Sequence, residues 1–395
     1  MPASLDNYFD EVEARFAAAV DFTIGMEEEF QLLDPATLAL APRYEELRAA
    51  AAGELAGAVA GELISSEIEI KTDRCENFSQ AARQLVGRRG ALYDLADAHG
   101  VALGLTGTHP FSSWRDQHII DTPHYRAVEE DLKYVAWRNN TWSAHVHVGV
   151  RGAARAVAIC DALRGWTPHL LALSANSPFI EGVWTQLHSA RTQTFVRMFP
   201  RCGIPDVFGD WAEHRRYYEM LVATNCIQEF IQIWWTVRPH HKFGTVEVRC
   251  CDMQTEPWQA LAIMSLAVGL IATLATWYDE GRPLPVLPTR YVEENFWRAI
   301  RYGLDGALVD FAAEREVAAG DALRELVETV APAAERIGLA AYLGDVERLL
   351  REGNGAQRQV KAHLEGKSIK EVFAETVVRA RASSLAAARA EKEER

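Results

Sequence analysis

Four short segments of the chain carry ionisable side chains spaced two positions apart. The pairs are Glu27 and Glu29 in TIGMEEEF, Glu67 and Glu69 in SSEIEIKT, His145 and His147 in SAHVHVGV, and Glu247 and Arg249 in FGTVEVRCC. All four segments have strand character, and successive side chains of a strand point to opposite faces, so the members of each pair share a face. Carboxylates and imidazoles are rarely buried without partners. The pattern therefore predicts a sheet with a polar funnel on one face, filled with cations and a charged substrate.

The glutamates of these pairs are of the type that binds divalent cations. Glu27, Glu29, Glu69 and Glu247 could supply oxygen ligands to Mg²⁺ or Mn²⁺. At ~3.3 Å per residue, side chains two positions apart are separated by roughly 7 Å along the strand. At that spacing, the two carboxylates of a pair are better placed to bind two neighbouring ions than to bind one ion together. A solvated edge strand carrying surface glutamates is the alternative for either acidic pair taken alone.

The histidine pair and the Glu–Arg pair have more than one chemical interpretation. His145 and His147 could bind a metal, orient a carboxylate or contact a phosphate, and a pair of this kind also occurs at Zn²⁺ hydrolase sites. Glu247 and Arg249 place an acid beside a guanidinium. One could hold a cation while the other grips a phosphoryl oxygen, although a structural ion pair would have the same spacing.

Further arginines could bind the phosphates of a nucleotide or the carboxylate of a substrate. Arg191 falls in a loop-rich segment, Arg298 and Arg301 lie one helical turn apart, and Arg358 follows a Gly-Asn-Gly sequence. Each could equally be a surface arginine. The sequence has neither GxxxxGK[ST] nor GxGxxG, so metals and arginines would have to hold any ATP.

Composition restricts the class of protein. The 395 residues are 49% hydrophobic and 24% charged with a net charge of −14, which indicates a folded chain and disfavours nucleic-acid or anionic-membrane partners. The six cysteines have no CxxC spacing and the N-terminal segment does not resemble a secretory signal, so we expect a cytoplasmic protein. Structural thiols are the better interpretation of the cysteines, with Cys202 beside Arg201 as the one exception considered.

The pattern of elements predicts one α+β catalytic domain over residues 1–395, with a helical lead-in over 1–20 and a mostly helical portion over 258–395. Residues 174–205 are predicted to be loop-rich, and residues 260–278 are expected to form a buried core helix rather than a membrane span. Trp234 and Trp235 are expected to lie in a strand and wall the pocket. The predicted strands cover 22–33, 63–72, 101–106, 142–150, 231–237 and 245–252, the last two forming a hairpin, and the predicted helices before residue 258 cover 44–60, 79–99, 124–137, 153–173 and 211–227.

Seven sequence runs, taken in order, resemble a known family. They are TIGMEEEFQLLDP, GTHPF, HVHVGV, SANSPFIEG, RPHHKFGTVEVRCCDMQT, ENFWRAIRYGLDG and GNGAQRQ. Together they resemble the bacterial carboxylate–amine ligases described as type 2 glutamate–cysteine ligases, from about Phe22 to beyond Gln359. The resemblance implies a glutamine-synthetase-like fold, in which a curved, mainly antiparallel sheet forms a funnel with helices on its outer face.

The resemblance also implies roles for individual residues. The metal ligands of the family match Glu27, Glu29, Glu62, Glu69, His145 and Glu247, and His147 is a second candidate histidine. Arg249 would face the transferred phosphoryl group, and Arg191 matches an arginine associated with substrate binding. The two-residue period of a strand places Glu67, not Glu62, on the same face as Glu69, because Glu62 lies an odd number of residues from Glu69. Glu62 can serve only if the chain bends before the strand begins.

The activity implied by the resemblance is ATP-dependent amide formation. Mg²⁺ and ATP would activate the γ-carboxylate of glutamate as an acyl phosphate, which the amine of cysteine would then attack. Three alternatives stay open: a Mg²⁺-dependent phosphotransferase on a related fold, a metal-dependent hydrolase built on the histidine pair, and a non-catalytic binding protein. The expected partners are small amino-acid substrates, with no nucleic acid and no membrane, and a homodimer is left open.

Overall fold

A mainly antiparallel sheet backed by helices organises the protein. The structure is a computed structural model and describes residues 5–393. The strands are β1 Ile24–Leu33, β2 Val59–Ala60, β3 Glu67–Lys71, β4 Ala102–Gly104, β5 Ser143–Gly149, β6 Phe179–Ile180, β7 Val183–Trp184, β8 Cys202–Gly203, β9 Trp234–Trp235, β10 Val237–His240, β11 Thr245–Asp252, β12 Ala307–Asp310 and β13 Arg315–Ala318.

The α-helices cover most of the remaining chain. They are α1 Leu5–Ala18, α2 Tyr44–Ala50, α3 Phe78–Ala98, α4 Pro123–Leu132, α5 Tyr134–Trp137, α6 Ala153–Leu163, α7 Thr167–Ser174, α8 Ala190–Met198, α9 Trp211–Ala223, α10 Pro257–Asp279, α11 Thr289–Tyr302, α12 Ala319–Arg336, α13 Ala340–Glu352, α14 Gly355–Leu364 and α15 Ile369–Glu393. Helix α1 corresponds to the predicted lead-in. From residue 257 to 393 the regular structure is helical apart from the short hairpin formed by β12 and β13.

The strands that carry the polar pairs are neighbours in one sheet. Its order is β10-β11-β5-β1-β3-β2, with β4 also paired to β1, and all these pairings are antiparallel. The register places Glu27 opposite His145 and Glu29 opposite Glu69. It also places Glu247 opposite His147. The predicted convergence of the four pairs on one face is therefore present.

The opposite face of the sheet is apolar and covered by helices. Met26, Ile68, Val146 and Val248 are all buried on it, with no more than 2% of any side chain exposed. Helices α3, α6, α7 and α10 contact the strands from this side. Helix α10 is long and apolar enough to cross a membrane by length and composition, but 89% of its most apolar window is buried inside the protein. It is a core helix, as predicted.

Two predicted elements end early because the backbone turns. The helix predicted over 44–60 stops at Ala50 because Ala51 is extended, with φ −63° and ψ 121°. Gly53 and Gly57, with positive φ angles of 58° and 75°, keep the chain from resuming it. The helix predicted over 124–137 is interrupted at Lys133, where φ is 51°. Helical residues on either side of such a position cannot form one continuous helix.

The strand prediction was wrong at two other places. Strand β3 begins only at Glu67, not at residue 63. The hairpin partner of β11 is β10, whereas β9 lies outside the main sheet and pairs in parallel with β8. Trp234 of β9 nevertheless lines the cavity described below, as expected, whereas Trp235 does not.

Candidate active site

A cavity of about 390 Å³ opens on the polar face of the sheet. Strands β1, β3, β5 and β11 supply its ionisable floor, and helix α8 contributes part of the wall. Members of all four predicted pairs line it, namely Glu27, Glu29, Glu67, Glu69, His147, Glu247 and Arg249. Within the described residues, two groups of these side chains are close enough to share an ion.

The first group consists of Glu27, His147 and Glu247, whose ligand atoms lie within 4.8 Å of one another. His147 Nε2 is 3.5 Å from Glu27 Oε1 and 3.7 Å from Glu247 Oε1, and it has no hydrogen-bond partner. Burial opposes protonation of this imidazole, but Glu247 and Glu27 outweigh it and raise its pKa. The Thr245 hydroxyl oxygen lies 3.1 Å from Nδ1 and can accept a hydrogen bond from Nδ1–H, which would leave a lone pair on Nε2 for a cation.

His145, unlike His147, does not line the cavity, and both of its ring nitrogens have partners. Its Nε2 is 2.8 Å from Ser143 Oγ, and its Nδ1 is 3.3 Å from Glu27 Oε2. Burial, reinforced by the charge of Arg249, lowers its pKa to about 4. A neutral imidazole has one N–H, and because the Ser143 hydroxyl donates to Glu29, this N–H lies on Nε2 and donates to Ser143 Oγ. The first group therefore contains His147 and not His145. A ligand role for His145 stays a prediction.

The second group consists of Glu29, Glu62 and Glu69, again with ligand atoms within 4.8 Å. Glu62 reaches it because the chain turns before β3, where the Glu67 amide donates to the Ile64 carbonyl at 3.2 Å. This is the bend that the parity of Glu62 requires. The structure therefore places Glu62 with Glu69 even though the two differ in parity.

The carboxylates of the second group lack sufficient positive charge nearby. Burial, with neighbouring carboxylates adding to it, raises the pKa of Glu29 and of Glu62 to about 7 each. The same causes raise the pKa of Glu69 well above its usual value, although Lys71 Nζ lies 2.6 Å from Glu69 Oε1. A divalent cation would offset this repulsion and favour the ionised carboxylates. The donor set fits Mg²⁺ or Mn²⁺, which prefer oxygen ligands.

Two arginines converge on Glu247. Arg238 Nε lies 2.5 Å from Glu247 Oε2, and Arg249 Nη1 donates to Glu247 Oε1. Burial opposes ionisation of Glu247, but these guanidinium groups outweigh it and hold its pKa well below the usual range. The charge of Arg249 also acts on Glu27 and Glu29. Arg249 therefore lies within electrostatic reach of both carboxylate groups.

Arg191 lies in the first turn of α8, not in a loop as predicted. The segment 174–205 contains this nine-residue helix, and the Ser189 side chain caps it by accepting from the Thr192 amide. Arg191 donates to the carbonyls of Arg249 and Cys250 at 3.3 Å, and its Nη1 is 3.5 Å from Asp252 Oδ1. These contacts fix the guanidinium against β11 at the wall of the cavity.

Three predicted binding arginines are not brought to the cavity. Arg298, Arg301 and Arg358 are absent from its lining. Arg298 is paired with Glu316 at 2.7 Å, and Arg358 with Glu256 at the same distance. Arg301 donates to a backbone carbonyl and stacks over a tyrosine ring. Their partners account for their positions, and any role in binding nucleotide stays a prediction.

Sequence reasoning missed three residues that hold the site together. Lys71 and Ser143 continue the period-two pattern of their strands, so extending that pattern by one step would have found both. Ser143 Oγ donates to Glu29 Oε2 at 2.8 Å. Arg238 is different, because it reaches Glu247 only through the β10–β11 register, and the predicted hairpin had the wrong partner strand.

Cys202, the one cysteine considered as a nucleophile, does not fit that role. All six are free, and Cys202 is the one beside an arginine in sequence. Cys202 lines the cavity, but burial raises its pKa to about 12. A thiol with that pKa is protonated at neutral pH and is a poor nucleophile.

Comparison with known proteins identifies the family. The family model described as glutamate–cysteine ligase family 2 matches residues 23–380. The chain belongs to this family. A relative from Rubrobacter xylanophilus, provisionally named glutamate–cysteine ligase 2-2, is 38% identical over 371 residues, which cover 94% of each chain. A second from Sorangium cellulosum, provisionally named glutamate–cysteine ligase 2, is 40% identical over 88% of this chain and 93% of its own.

Solved structures confirm the predicted fold. Glutamate–cysteine ligase from Francisella tularensis, determined in complex with AMP, has a TM-score of 0.63 at 12% identity over 95% of both chains. A bifunctional glutathione synthetase from Pasteurella multocida has a TM-score of 0.67 at 13% identity over 97% of this chain and 55% of that one. Family membership also confirms the prediction of an ATP-dependent ligase of the glutamate–cysteine ligase type.

Proposed function

We propose that this member of the family joins the γ-carboxylate of glutamate to the amine of cysteine, at the expense of ATP and through an acyl phosphate. The observation that carries the proposal is the presence of two carboxylate-rich groups in one cavity, with Arg249 within electrostatic reach of both. Anionic ATP requires this kind of surrounding, in which cations and a guanidinium neutralise its phosphates. The AMP bound to the Francisella tularensis relative supports a nucleotide as co-substrate.

The carboxylate groups would hold the metal ions. Glu27, His147 and Glu247 would bind one Mg²⁺ or Mn²⁺, and the second group, formed by Glu29, Glu62 and Glu69, would bind another. Such ions neutralise and align a triphosphate when they are bound. Ser143 would support this arrangement by fixing Glu29 through its hydroxyl, and His145 would hold that hydroxyl by donating to its oxygen.

Arg249 and Arg191 would act on the substrates themselves. Arg249 projects from β11 into the cavity and would stabilise charge on the phosphoryl group as it moves to the substrate carboxylate. Arg238 would keep Glu247 ionised while Arg249 is so engaged. Arg191, fixed against β11, would bind a substrate carboxylate. The amine then displaces phosphate, so no protein nucleophile is needed.

An ADP-release screen tests the proposal. The protein would be incubated with Mg²⁺, ATP and pairs of amino acids, and the products analysed by mass spectrometry. We expect ADP, phosphate and an amide of glutamate and cysteine in equal amounts. A stable phosphorylated product without an amide would instead indicate a phosphotransferase, and amide cleavage without nucleotide would indicate a hydrolase. Substrate binding without ADP release under any pair would indicate a binding protein.

A further inference from the structure

Glu67 is an acidic residue of the cavity to which the proposed function gives no role. Its side chain lines the cavity, only 1% of the residue is exposed, and its Oε2 has no hydrogen-bond partner. It belongs to neither carboxylate group that could share an ion, within the residues that the structure describes. A buried carboxylate oxygen without a donor is costly, so a positively charged ligand would stabilise it.

Arg191 lines the same cavity and provides the opposite charge. It is 6% exposed, and its Nε has no hydrogen-bond partner. Arg191 is the positively charged group that acts on Glu67. A carboxylate and a guanidinium with open hydrogen-bonding positions in one cavity match the ammonium and carboxylate of an α-amino acid.

We infer that Glu67 binds the α-ammonium of the amino acid that supplies the carboxylate, beside the α-carboxylate held by Arg191. This inference rests on the proposed function. The bound ammonium belongs to the acid substrate for a chemical reason. The nitrogen of the amine substrate must lose a proton before it attacks, whereas the α-ammonium of the acid substrate stays charged throughout and suits a lasting ion pair. Glu67 is thus a recognition residue, and it would select α-amino acids over simple dicarboxylic acids.

The test compares glutamate with glutarate, which has the same two carboxylates but no ammonium. Binding of each would be measured by calorimetry with Mg²⁺ and a non-hydrolysable ATP analogue, for the wild type and for Glu67→Gln. We expect Glu67→Gln to weaken glutamate binding by about tenfold or more, the usual effect of removing a charged hydrogen bond. Glutarate binding should not change. Glu67→Asp, which keeps the charge, should recover part of the lost affinity.

Metal dependence supplies the control. The Mg²⁺ concentration that gives half-maximal ATP-analogue binding should be unchanged in Glu67→Gln and increased in Glu62→Gln. A shift in Glu67→Gln, or an equal loss of glutamate and glutarate, would show that Glu67 holds a metal or the fold and would overturn the inference. Thermal melting of each variant checks folding. If Glu67→Gln weakens glutamate binding but not glutarate binding, and no amino-acid pair releases ADP, the proposed function fails and Glu67 is an ammonium-binding residue only. If ADP release is normal and Glu67→Gln leaves the glutamate-to-glutarate ratio unchanged, the proposed function stands and the inference fails.

Discussion

Replacement of Arg249 by alanine tests the proposed chemistry most directly. The guanidinium is one of two that contact Glu247, and its charge also reaches Glu27 and Glu29. If it stabilises the transferring phosphoryl group, its loss should lower kcat by about 10³-fold, or ~4 kcal/mol, in line with removal of one preorganised donor or a catalytic arginine. Arg249→Lys keeps the charge without the planar fork and should fall between wild type and Arg249→Ala.

The structure indicates that Arg249→Ala will fold. Glu247 keeps Arg238, with Nε at 2.5 Å from Oε2 and Nη2 at 3.4 Å from Oε1, so its charge remains paired. We therefore expect a loss of stability below the ~3–5 kcal/mol typical of an abandoned buried charge. ADP release and urea denaturation would be measured in parallel, with the exposed Arg290→Ala as a matched control. Near-normal turnover in Arg249→Ala, or a loss of activity that only follows unfolding, would refute the reasoning.

Three further predictions concern metal binding, the core and acid stability. Glu62→Gln should raise the Mg²⁺ concentration for half-maximal ADP release by about tenfold, because it removes one charged donor from the second group; an unchanged midpoint would exclude it as a ligand. Arg89→Ala should reduce the unfolding free energy by ~3–5 kcal/mol in urea titrations, because it leaves fully buried Glu28 without its ion-pair partner. Glu28→Gln should cost less, because Arg89 still donates to the carbonyls of Gln254 and Thr255. Burial lowers the pKa of His214 to about 3, so its neutral form stabilises the fold above pH ~6.5 and that contribution is lost as the pH falls towards 3; His214→Phe should flatten this acid limb.

The sequence predicted the centre of the site well because side-chain period in a strand depends on local geometry alone. Once Glu27 and His145 fall in strands, their sharing a face requires only correct pairing between β1 and β5. The same rule failed for Glu62, which precedes β3 and reaches the second group through a turn. No periodicity describes a turn, so only the family resemblance pointed to Glu62.

The arginines show the opposite limit of sequence reasoning. Arg238 and Arg298 have the same chemical type, and nothing local distinguishes a guanidinium that enters the cavity from one that pairs on the surface. The distinction depends on non-local contacts. Arg238 faces Glu247 across a hairpin, whereas Arg298 lies on α11 and pairs with Glu316 of β13. Predicting these contacts requires the strand pairing and helix packing themselves.

The two carboxylate groups of the cavity differ in how much positive charge surrounds them. Glu247 already has two arginines and is held ionised, so the first group is balanced without a ligand. The second group has three carboxylates, and Glu67 beside them also carries a raised pKa, while Lys71 is paired with Glu69 alone. A bound cation would therefore lower the repulsion between carboxylates more at the second group than at the first. In the proposed function, the acid-rich end of the sheet would therefore need a bound metal and substrate for all its carboxylates to be ionised.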